Sequence, residues 1–371
     1  MDSPCSAELH AAARPQPATG YSFSAASGPL PAEVRAAVAE ACMPPNGGRS
    51  ILSLPFTSDA YRRLQDETEA CLRRLLDIPD EFRVLFLQGG ATLQFAMLPL
   101  NLLGGARLAA YVDTGHWSRR AIEEAGRYAD PDIVARAVGH IPHEHDWQLD
   151  PRAAYCHITT NETADGLQFD RLPALPVPLV ADMSSDLLTR PLDFTRLALG
   201  YAATQKTIGV PGLTVLILRA DLLGRAHPAT PRAMNYTAQA EAASRVNTPP
   251  VFPVLVAHRM LHWIERQGGV TAMAAAVERR SAAVYAVLDD SGGFYRNTIA
   301  RAHRSRVNPC FHLADQGLTE RFLDAAQRAG LHDLRGHPRT GGIRVSLYNG
   351  VEDEAVAALA GFMREFARTQ G

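Results

Sequence analysis

The stretch VPLVADMSSDLLTRPLDFTRLALGYAATQK, residues 177–206, decides the fold of this chain. It contains two short apolar runs, at 177–182 and 197–203, which are separated by a more polar loop. Short and continuously apolar runs are typical of strands that helices cover on both faces of a parallel sheet. Both runs are therefore predicted to be buried strands of an α/β domain.

The same alternation continues on both sides of this stretch, from about residue 31 onward. Helical patterns alternate with apolar runs, which is the usual order of strand–helix units around a mostly parallel sheet. The clearest helical pattern is 60–78, where leucines recur at helical spacing between charged residues. Further strands are predicted at 83–88, 107–113, 155–160 and 213–219.

The length of 371 residues allows one large domain and one smaller domain, because single cores rarely grow past roughly 250 to 300 residues. A boundary is predicted where the helical pattern 254–267 runs into Gly268 and Gly269. The first residues of the large domain can pack on the small one. The predicted division is a flexible N-terminal extension at 1–20, a large domain at 21–267 and a small C-terminal α/β domain at 268–371.

Composition argues against several classes of protein. The net charge is −2 and no basic stripe of the kind that binds nucleic acid is present. The first 20 residues lack the features of a signal peptide, and no apolar run is long enough to span a membrane. The cysteines are scattered without CxxC spacing, which favours reduced thiols and a cytoplasmic location. They are Cys5, Cys42, Cys71, Cys156 and Cys310.

Lys206 is the single lysine among 37 lysine and arginine residues. A guanidinium stays protonated and cannot form an imine, whereas the amine of a partly desolvated lysine can. A chain that uses arginine for its other cations can therefore have retained Lys206 for covalent chemistry. The alternative is that codon usage removed the lysines and left one on the surface.

Asp182 closes the apolar run 177–182, and ligands collect at the C-terminal ends of such strands in open α/β sheets. A strand that ends in Asp, a loop, a second strand and then Lys206 is typical of enzymes that bind pyridoxal phosphate (PLP). For Asp182 alone, a helix cap or a turn is the alternative.

Gly89 and Gly90 lie between the predicted strand 83–88 and an apolar helical pattern. Such a turn collects free backbone N–H groups at the positive end of a helix, which favours a phosphate. An ordinary tight turn is the alternative for this motif.

Three further features carry side chains suited to ligand binding. Trp117 follows a strand and opens a helix, so its ring is placed to cover a planar cofactor, although simple packing is the alternative. Arg344 lies in an apolar strand pattern and needs a counter-anion, either a substrate carboxylate or a structural acid. His140, His143 and His145 resemble a metal cluster, but they lie in a loop-like segment and are expected to be solvated. No metal site is predicted.

Several stretches of the chain are distinctive in combination. They are VLFLQGGATLQFAMLPLNLL (84–103), YVDTGHWSRRA (111–121), HITTNETADGLQF (157–169), VPLVADMSSDLLTRPLDF (177–194), YAATQKTIGVPGLTVLILR (201–219), NTPPVF (247–252) and GGIRVSLYN (341–349). Together they resemble the phosphoserine aminotransferase family, a class V family of PLP-dependent enzymes of fold type I. The resemblance runs from about Tyr21 to the C-terminus, and it implies a large domain with a mostly parallel sheet and a smaller α/β domain.

The resemblance implies that Lys206 forms a Schiff base with PLP, that Asp182 pairs with the pyridine nitrogen and that Trp117 stacks on the ring. It also implies that Arg344 binds the α-carboxylate of the substrate. The chain is expected to form a homodimer. The remaining implied cofactor residues are Thr163 near the ring hydroxyl, Ala91, Thr92 and Gln205 at the phosphate, and Asn247 and Thr248 from the second subunit, also at the phosphate.

The chain departs from the family where the distal anion of the substrate is expected to bind. A His-Arg pair of the family is replaced by Phe56 and Thr57. The family's G-H-R-S-V-G-G reads GHPRTGG at 336–342, which retains His337 but displaces the arginine to Arg339. Losing a charge-assisted hydrogen bond removes about 1.5 to 3 kcal/mol. The acids 3-phosphohydroxypyruvate and glutamate are therefore expected to bind poorly unless Arg339 or other arginines compensate.

Three functions follow from these observations. The first is an aminotransferase that resembles an enzyme of serine biosynthesis and moves an amino group between an amino acid and a 2-oxo acid. A less anionic or more apolar amino acid is favoured as its substrate, and phosphoserine itself is the alternative. The second is a PLP enzyme that catalyses elimination, replacement or decarboxylation. The third is a catalytically idle homodimer that binds PLP.

Overall fold

The computed structural model describes residues 20–371, so the predicted extension up to residue 19, with Cys5, lies outside the described residues. Within 20–371 the chain forms nine α-helices and fourteen β-strands. The helices are α1 (Ala32–Cys42), α2 (Asp59–Leu76), α3 (Gly90–Leu102), α4 (His116–Ala125), α5 (Tyr236–Glu241), α6 (Val251–Arg266), α7 (Gly269–Asp289), α8 (Thr319–Arg328) and α9 (Asp353–Gln370). The strands are β1 (Tyr21–Ser22), β2 (Phe82–Leu87), β3 (Leu108–Asp113), β4 (Asp130–Arg136), β5 (Cys156–Thr159), β6 (Asn161–Glu162), β7 (Leu167–Gln168), β8 (Leu179–Asp182), β9 (Leu199–Ala203), β10 (Thr214–Arg219), β11 (Tyr295–Arg296), β12 (Cys310–Leu313), β13 (Leu331–His332) and β14 (Ile343–Arg344).

Seven strands form the central sheet, in the order β2–β10–β9–β8–β5–β3–β4. Neighbours from β9 to β4 pair in parallel, whereas β10 is antiparallel to both β2 and β9. The strands predicted from apolar runs are all present in this sheet, with bounds shifted by one or two residues. The predicted α/β class with a mostly parallel sheet is confirmed.

The strands are apolar because both faces of the sheet are covered. All residues of β5, β8 and β9 are buried. Successive side chains of a strand point to opposite faces, and accordingly Val84 packs in one core cluster and Leu85 in another. The same division separates Val215 from Leu216 on β10. The strand register therefore decides which side chains face which layer of helices.

One strand of the sheet, β4, was missed by the sequence analysis. It begins with Asp130, Pro131 and Asp132, residue types that are uncommon inside strands. It lies at the edge of the sheet and pairs with β3 alone, and Val134 is its single buried residue. This segment becomes a strand because it pairs with β3, and apolar runs in the sequence do not reveal a strand of this kind.

A second hydrophobic core lies in the C-terminal part of the chain. Strands β11, β12 and β14 form an antiparallel sheet, and β1 pairs in parallel with β13, which brings Phe23 into this core. Helix α7 contributes Val270 and Met273 to the core of the large sheet, but Val284 and Leu288 to the second core. The predicted boundary precedes α7, whereas the packing changes from one core to the other within this helix.

Among residues 20–371, none of the helices combines the length and the apolar character that crossing a membrane requires.

Candidate active site

The C-terminal ends of the parallel strands meet at a cavity of about 380 Å³. Asp182 ends β8, and Lys206 follows the end of β9 after a short turn. The register pairs Thr159 at the end of β5 with Asp182, and Asp182 with Tyr201 of β9, so these strand ends lie side by side. This is the edge of an open α/β sheet at which ligands usually bind, and the volume suits a small cofactor.

Lys206 is partly buried and lines this cavity. Its Nζ atom lies 5.6 Å from the centre of the Trp117 ring. Burial lowers the pKa of the amine, Arg344 lowers it further, and Asp182 opposes both effects. A lowered pKa increases the fraction of neutral amine, which is the nucleophilic form.

Asp182 is a buried carboxylate that also lines the cavity. Its Oδ1 atom accepts a hydrogen bond from the backbone N–H of Ser184 at 2.9 Å. Burial raises the pKa of this carboxyl group, while the hydrogen bonds from Ser184 and the charge of Lys206 lower it. A buried carboxylate is costly without a positive or hydrogen-bonding partner, and a protonated ring nitrogen would supply one.

Thr163 joins the indole of Trp117 to the guanidinium of Arg344. The Trp117 Nε1–H donates to Thr163 Oγ1 at 2.9 Å, and Arg344 Nη1 donates to the Thr163 carbonyl oxygen at 3.1 Å. Because Arg344 lies on β14 in the C-terminal part of the chain, this contact orients a cation from there into the cavity. The expected ring-stacking, hydroxyl-binding and carboxylate-binding residues therefore lie together.

The first turn of α3 forms another part of the cavity wall. Gly89 and Gly90 have φ angles of 92° and 66°, a left-handed conformation that favours glycine. Ala91, Thr92 and Gln205 line the cavity beside this turn. The first N–H groups of a helix have no partner within the helix, so the wall offers donors to a phosphate.

Glu162 is a buried carboxylate of this site that the sequence analysis did not identify. It accepts the backbone N–H of Trp117 at 2.9 Å and that of Ser118 at 2.8 Å, and so caps the first turn of α4. Burial raises its pKa to about 7, although both hydrogen bonds oppose this rise. Glu162 lies on β6, three positions after the end of β5, and no local sequence pattern marks it. Its contacts fix the position of Trp117.

Short polar side chains at the strand ends complete the lining, and they too had no predicted role. Asn161 Nδ2 donates to Ser185 Oγ at 2.9 Å and to Asn308 Oδ1 at 2.8 Å. Asn308 lies in the C-terminal part of the chain and also donates to Ser346. This buried network ties the floor of the cavity to the segment that carries Arg344.

His337 lies at the cavity, and its ring centre lies 4.4 Å from that of His116. Burial lowers the pKa of both imidazoles, which favours their neutral forms. Arg339, by contrast, is exposed and is not part of the cavity lining.

Four of the predicted residues lie outside the cavity of their own chain. Phe56 packs against the core of the large sheet, and Thr57 is exposed. Asn247 and Thr248 are also exposed and do not line the cavity. A single chain therefore does not bring these four residues to the site.

The loop histidines form no part of this site. His143 and His145 are exposed and pair with the neighbouring acids Glu144 and Asp146. His140 is exposed as well.

Comparison with known proteins agrees with the geometry. The model of the aminotransferase class-V family matches residues 20–359. The chain is 45% identical to the phosphoserine aminotransferase of Chromobacterium violaceum, over 95% of this chain and 99% of that protein. It is similar to the structure of phosphoserine aminotransferase from Bacillus circulans subsp. alkalophilus, with a TM-score of 0.91, 38% identity and coverage of 95% of this chain and 99% of that chain. A PLP-bound phosphoserine aminotransferase from Trichomonas vaginalis gives a TM-score of 0.88 at 33% identity, over 93% of this chain and 99% of that chain.

Proposed function

The chain belongs to the aminotransferase class-V family and is a PLP-dependent aminotransferase, and we propose that its amino acid substrate has a less anionic or more apolar side chain than phosphoserine. One observation carries this proposal. Among the described residues that line the cavity, Arg344 is the single arginine and Lys206 the single lysine. One permanent cation suffices for an α-carboxylate, so a single chain leaves none for a second anionic group. The residues assigned below to the second chain, Phe56, Thr57, Asn247 and Thr248, are uncharged.

The residues present fit PLP by their chemistry. The cavity holds an amine, a buried carboxylate, an indole face and the N-terminal turn of α3. Lys206 would bind the aldehyde carbon, Asp182 the ring nitrogen and Trp117 one ring face. The phosphate would be held by Ala91, Thr92 and Gln205, and the ring hydroxyl by Thr163. When bound, PLP withdraws electrons from the α-carbon of the amino substrate and so makes its α-proton acidic.

The protein supplies orientation and proton transfer. Arg344 binds the α-carboxylate, and its hydrogen bond to the Thr163 carbonyl holds the guanidinium in place. Lys206 Nζ would take the α-proton from the substrate and pass it to the carbon atom that had been the cofactor aldehyde, since its lowered pKa leaves part of the amine neutral. Trp117 would cover one face of the cofactor ring and exclude water from that face. Glu162 holds Trp117 through the backbone N–H of that residue.

The distal end of the cavity favours an uncharged side chain. The pKa of His337 is lowered by burial, so the imidazole is largely neutral and gives a phosphate no full charge. Arg339 lies outside the lining. Without a second cation at the cavity, a substrate phosphate loses about 1.5 to 3 kcal/mol of binding free energy for each charge-assisted hydrogen bond that is not formed. A buried anion without partners costs still more.

The proposal includes a homodimer in the cytoplasm. Phe56, Thr57, Asn247 and Thr248 lie outside the cavity of their own chain, and we assign them to the cavity of a second chain. A cytoplasmic location is supported by the cysteines, because those that the structure describes are all free thiols.

The test is the absorbance of the purified holoenzyme when single amino acids are added. Amino acids with uncharged side chains are expected to convert the cofactor to pyridoxamine phosphate and to yield the matching 2-oxo acid, whereas phosphoserine and glutamate react slowly. Equally fast conversion by phosphoserine would contradict the proposed substrate class. Elimination or decarboxylation products without pyridoxamine phosphate would contradict an aminotransferase.

A further inference from the structure

A second cluster of reactive side chains lies between α2 and α6, and the mechanism above does not use it. Cys71 lies on α2, whereas His262 and Glu265 lie on α6. Cys71 Sγ is 4.0 Å from His262 Nδ1, and this nitrogen is 3.2 Å from Glu265 Oε2. All three atoms lie within 4.8 Å of one another. None of the three residues lines the active-site cavity.

The packing of the two helices brings these groups together. His262 and Glu265 are separated by three positions, so they lie on the same face of α6. Cys71 is fully buried in the core against which α6 packs. The thiol therefore faces α6, while the imidazole and the carboxylate reach it from the partly exposed side.

Two of the three separations, sulfur to nitrogen and nitrogen to oxygen, are close to those of tetrahedral zinc. Zinc binds thiolate sulfur at about 2.3 Å, imidazole nitrogen at about 2.0–2.1 Å and carboxylate oxygen at about 2.0–2.2 Å. Tetrahedral angles between such bonds separate sulfur from nitrogen by about 3.6 Å and nitrogen from oxygen by about 3.4 Å. The distances of 4.0 and 3.2 Å depart from these values by less than about 0.5 Å.

Neighbouring groups orient the ligands. Arg74 Nε and Nη2 donate to Glu265 Oε1 at 3.1 and 2.9 Å, which leaves Oε2 directed at His262. Such outer contacts commonly hold metal-binding carboxylates in place. The guanidinium of Arg74 therefore pairs with Oε1, which is the carboxylate oxygen that would not contact the metal.

His262 also lines a cavity of about 420 Å³ between α1, α2 and α6. It is also lined by Arg259, by Arg266, and by His258 and Glu67, whose Nε2 and Oε2 atoms lie 3.3 Å apart. The cavity has room for a water molecule beside His262.

We propose that Cys71, His262 and Glu265 bind one zinc ion, with water in the fourth position. Thiolate and imidazole ligands favour zinc over magnesium or calcium, which prefer oxygen. Binding forms the S–Zn bond as the thiol S–H bond breaks, and the proton goes to solvent. The thiolate and the carboxylate balance the two positive charges of the ion. The ion links α2 to α6.

Cobalt is the probe, because a bond between Co²⁺ and thiolate gives a charge-transfer band in the near ultraviolet. Full-length holoenzyme is stripped with a chelator and titrated with Co²⁺ and then with Zn²⁺. We expect the band to saturate at one Co²⁺ per chain and Zn²⁺ to abolish it. Zn²⁺ should also raise the Tm of the stripped protein, because a ligand of the folded state stabilises it.

Variants identify the ligands. Cys71→Ser is expected to remove the band, and His262→Gln or Glu265→Gln to weaken Co²⁺ binding at least tenfold. The matched control is Cys42→Ser, because Cys42 is a free thiol outside the cluster. The proposal is overturned if the band is absent in the wild type, or if Cys71→Ser or His262→Gln leaves Co²⁺ binding and the band unchanged. Since His262 is partly exposed, His262→Gln decides the matter even if Cys71→Ser fails to fold.

Discussion

Replacing Arg344 with glutamine tests the assignment of the α-carboxylate site. Arg344 is the single arginine among the described residues that line the cavity, and its Nη1 donates to the Thr163 carbonyl at 3.1 Å. The substitution removes the charge but keeps an amide that can still donate to that carbonyl. The wall formed by Thr163 and Trp117 should therefore persist.

The expected loss follows from the donors that remain available. One N–H of Arg344 is occupied by Thr163, and the guanidinium fork can give two further hydrogen bonds to a carboxylate. Two such bonds at about 1.5 to 3 kcal/mol each correspond to about 3 to 6 kcal/mol. Arg344→Gln should thus lower kcat/KM by about 10² to 10⁴.

The assay compares an amino acid that the wild-type enzyme converts with the corresponding amine that lacks the carboxylate. Arg344→Gln should lower kcat/KM for the amino acid and leave that for the amine unchanged. The matched control is Arg335→Gln, since Arg335 is an exposed arginine of the same segment that pairs with Glu320. Equal losses for both substrates, or a loss of less than about threefold for the amino acid, would refute the assignment.

Three further predictions concern the dimer, the buried acid and the distal site. The variant Lys206→Ala and the double variant Asn247→Ala/Thr248→Ala should each be inactive alone. When the two are mixed, half of the dimers contain one chain of each kind and therefore one intact site, so about one site in four should be active. No recovery of activity would exclude a shared site. Because burial raises the pKa of Glu162 to about 7, above its ordinary value of 4.5, this residue stabilises the folded state at low pH, and this contribution is lost as pH rises from 4.5 to about 7. The free energy of unfolding, measured with urea, should therefore fall for the wild type relative to Glu162→Gln over this pH range. If the free energies of unfolding of the two proteins changed in parallel with pH, the raised pKa would be contradicted. Phe56→His/Thr57→Arg should raise kcat/KM for phosphoserine at least about tenfold relative to an apolar amino acid, since it supplies charge-assisted hydrogen bonds; an unchanged ratio would place the distal site elsewhere.

The fold follows from sequence patterns where burial is continuous. The run at 177–182 reads as a strand because β8 is covered on both faces, and Asp182 stands out as the acid that ends it. Strand β4 has no such pattern, because an edge position tolerates its acids and its proline. Its pairing with β3 was therefore not predictable from local composition.

The site was predictable only where each residue has a local signal. Lys206 is marked by its uniqueness and Trp117 by its place at the start of a helix. Glu162 has no such signal, since its role depends on backbone N–H groups about 45 positions away in the chain. The proposed zinc ligands Cys71 and His262 are likewise separated by 191 positions. The packing of α2 on α6 is what joins them.

The most direct test of the proposed substrate class is the steady-state turnover of phosphoserine with 2-oxoglutarate by the purified holoenzyme. The same preparation must first convert an amino acid with an uncharged side chain, which shows that Lys206 and the cofactor are active. With one arginine at the cavity, turnover of phosphoserine should lie well below the roughly 1 to 10³ s⁻¹ that is typical of enzymes. Turnover within that range would contradict the proposal and make this chain an ordinary phosphoserine aminotransferase.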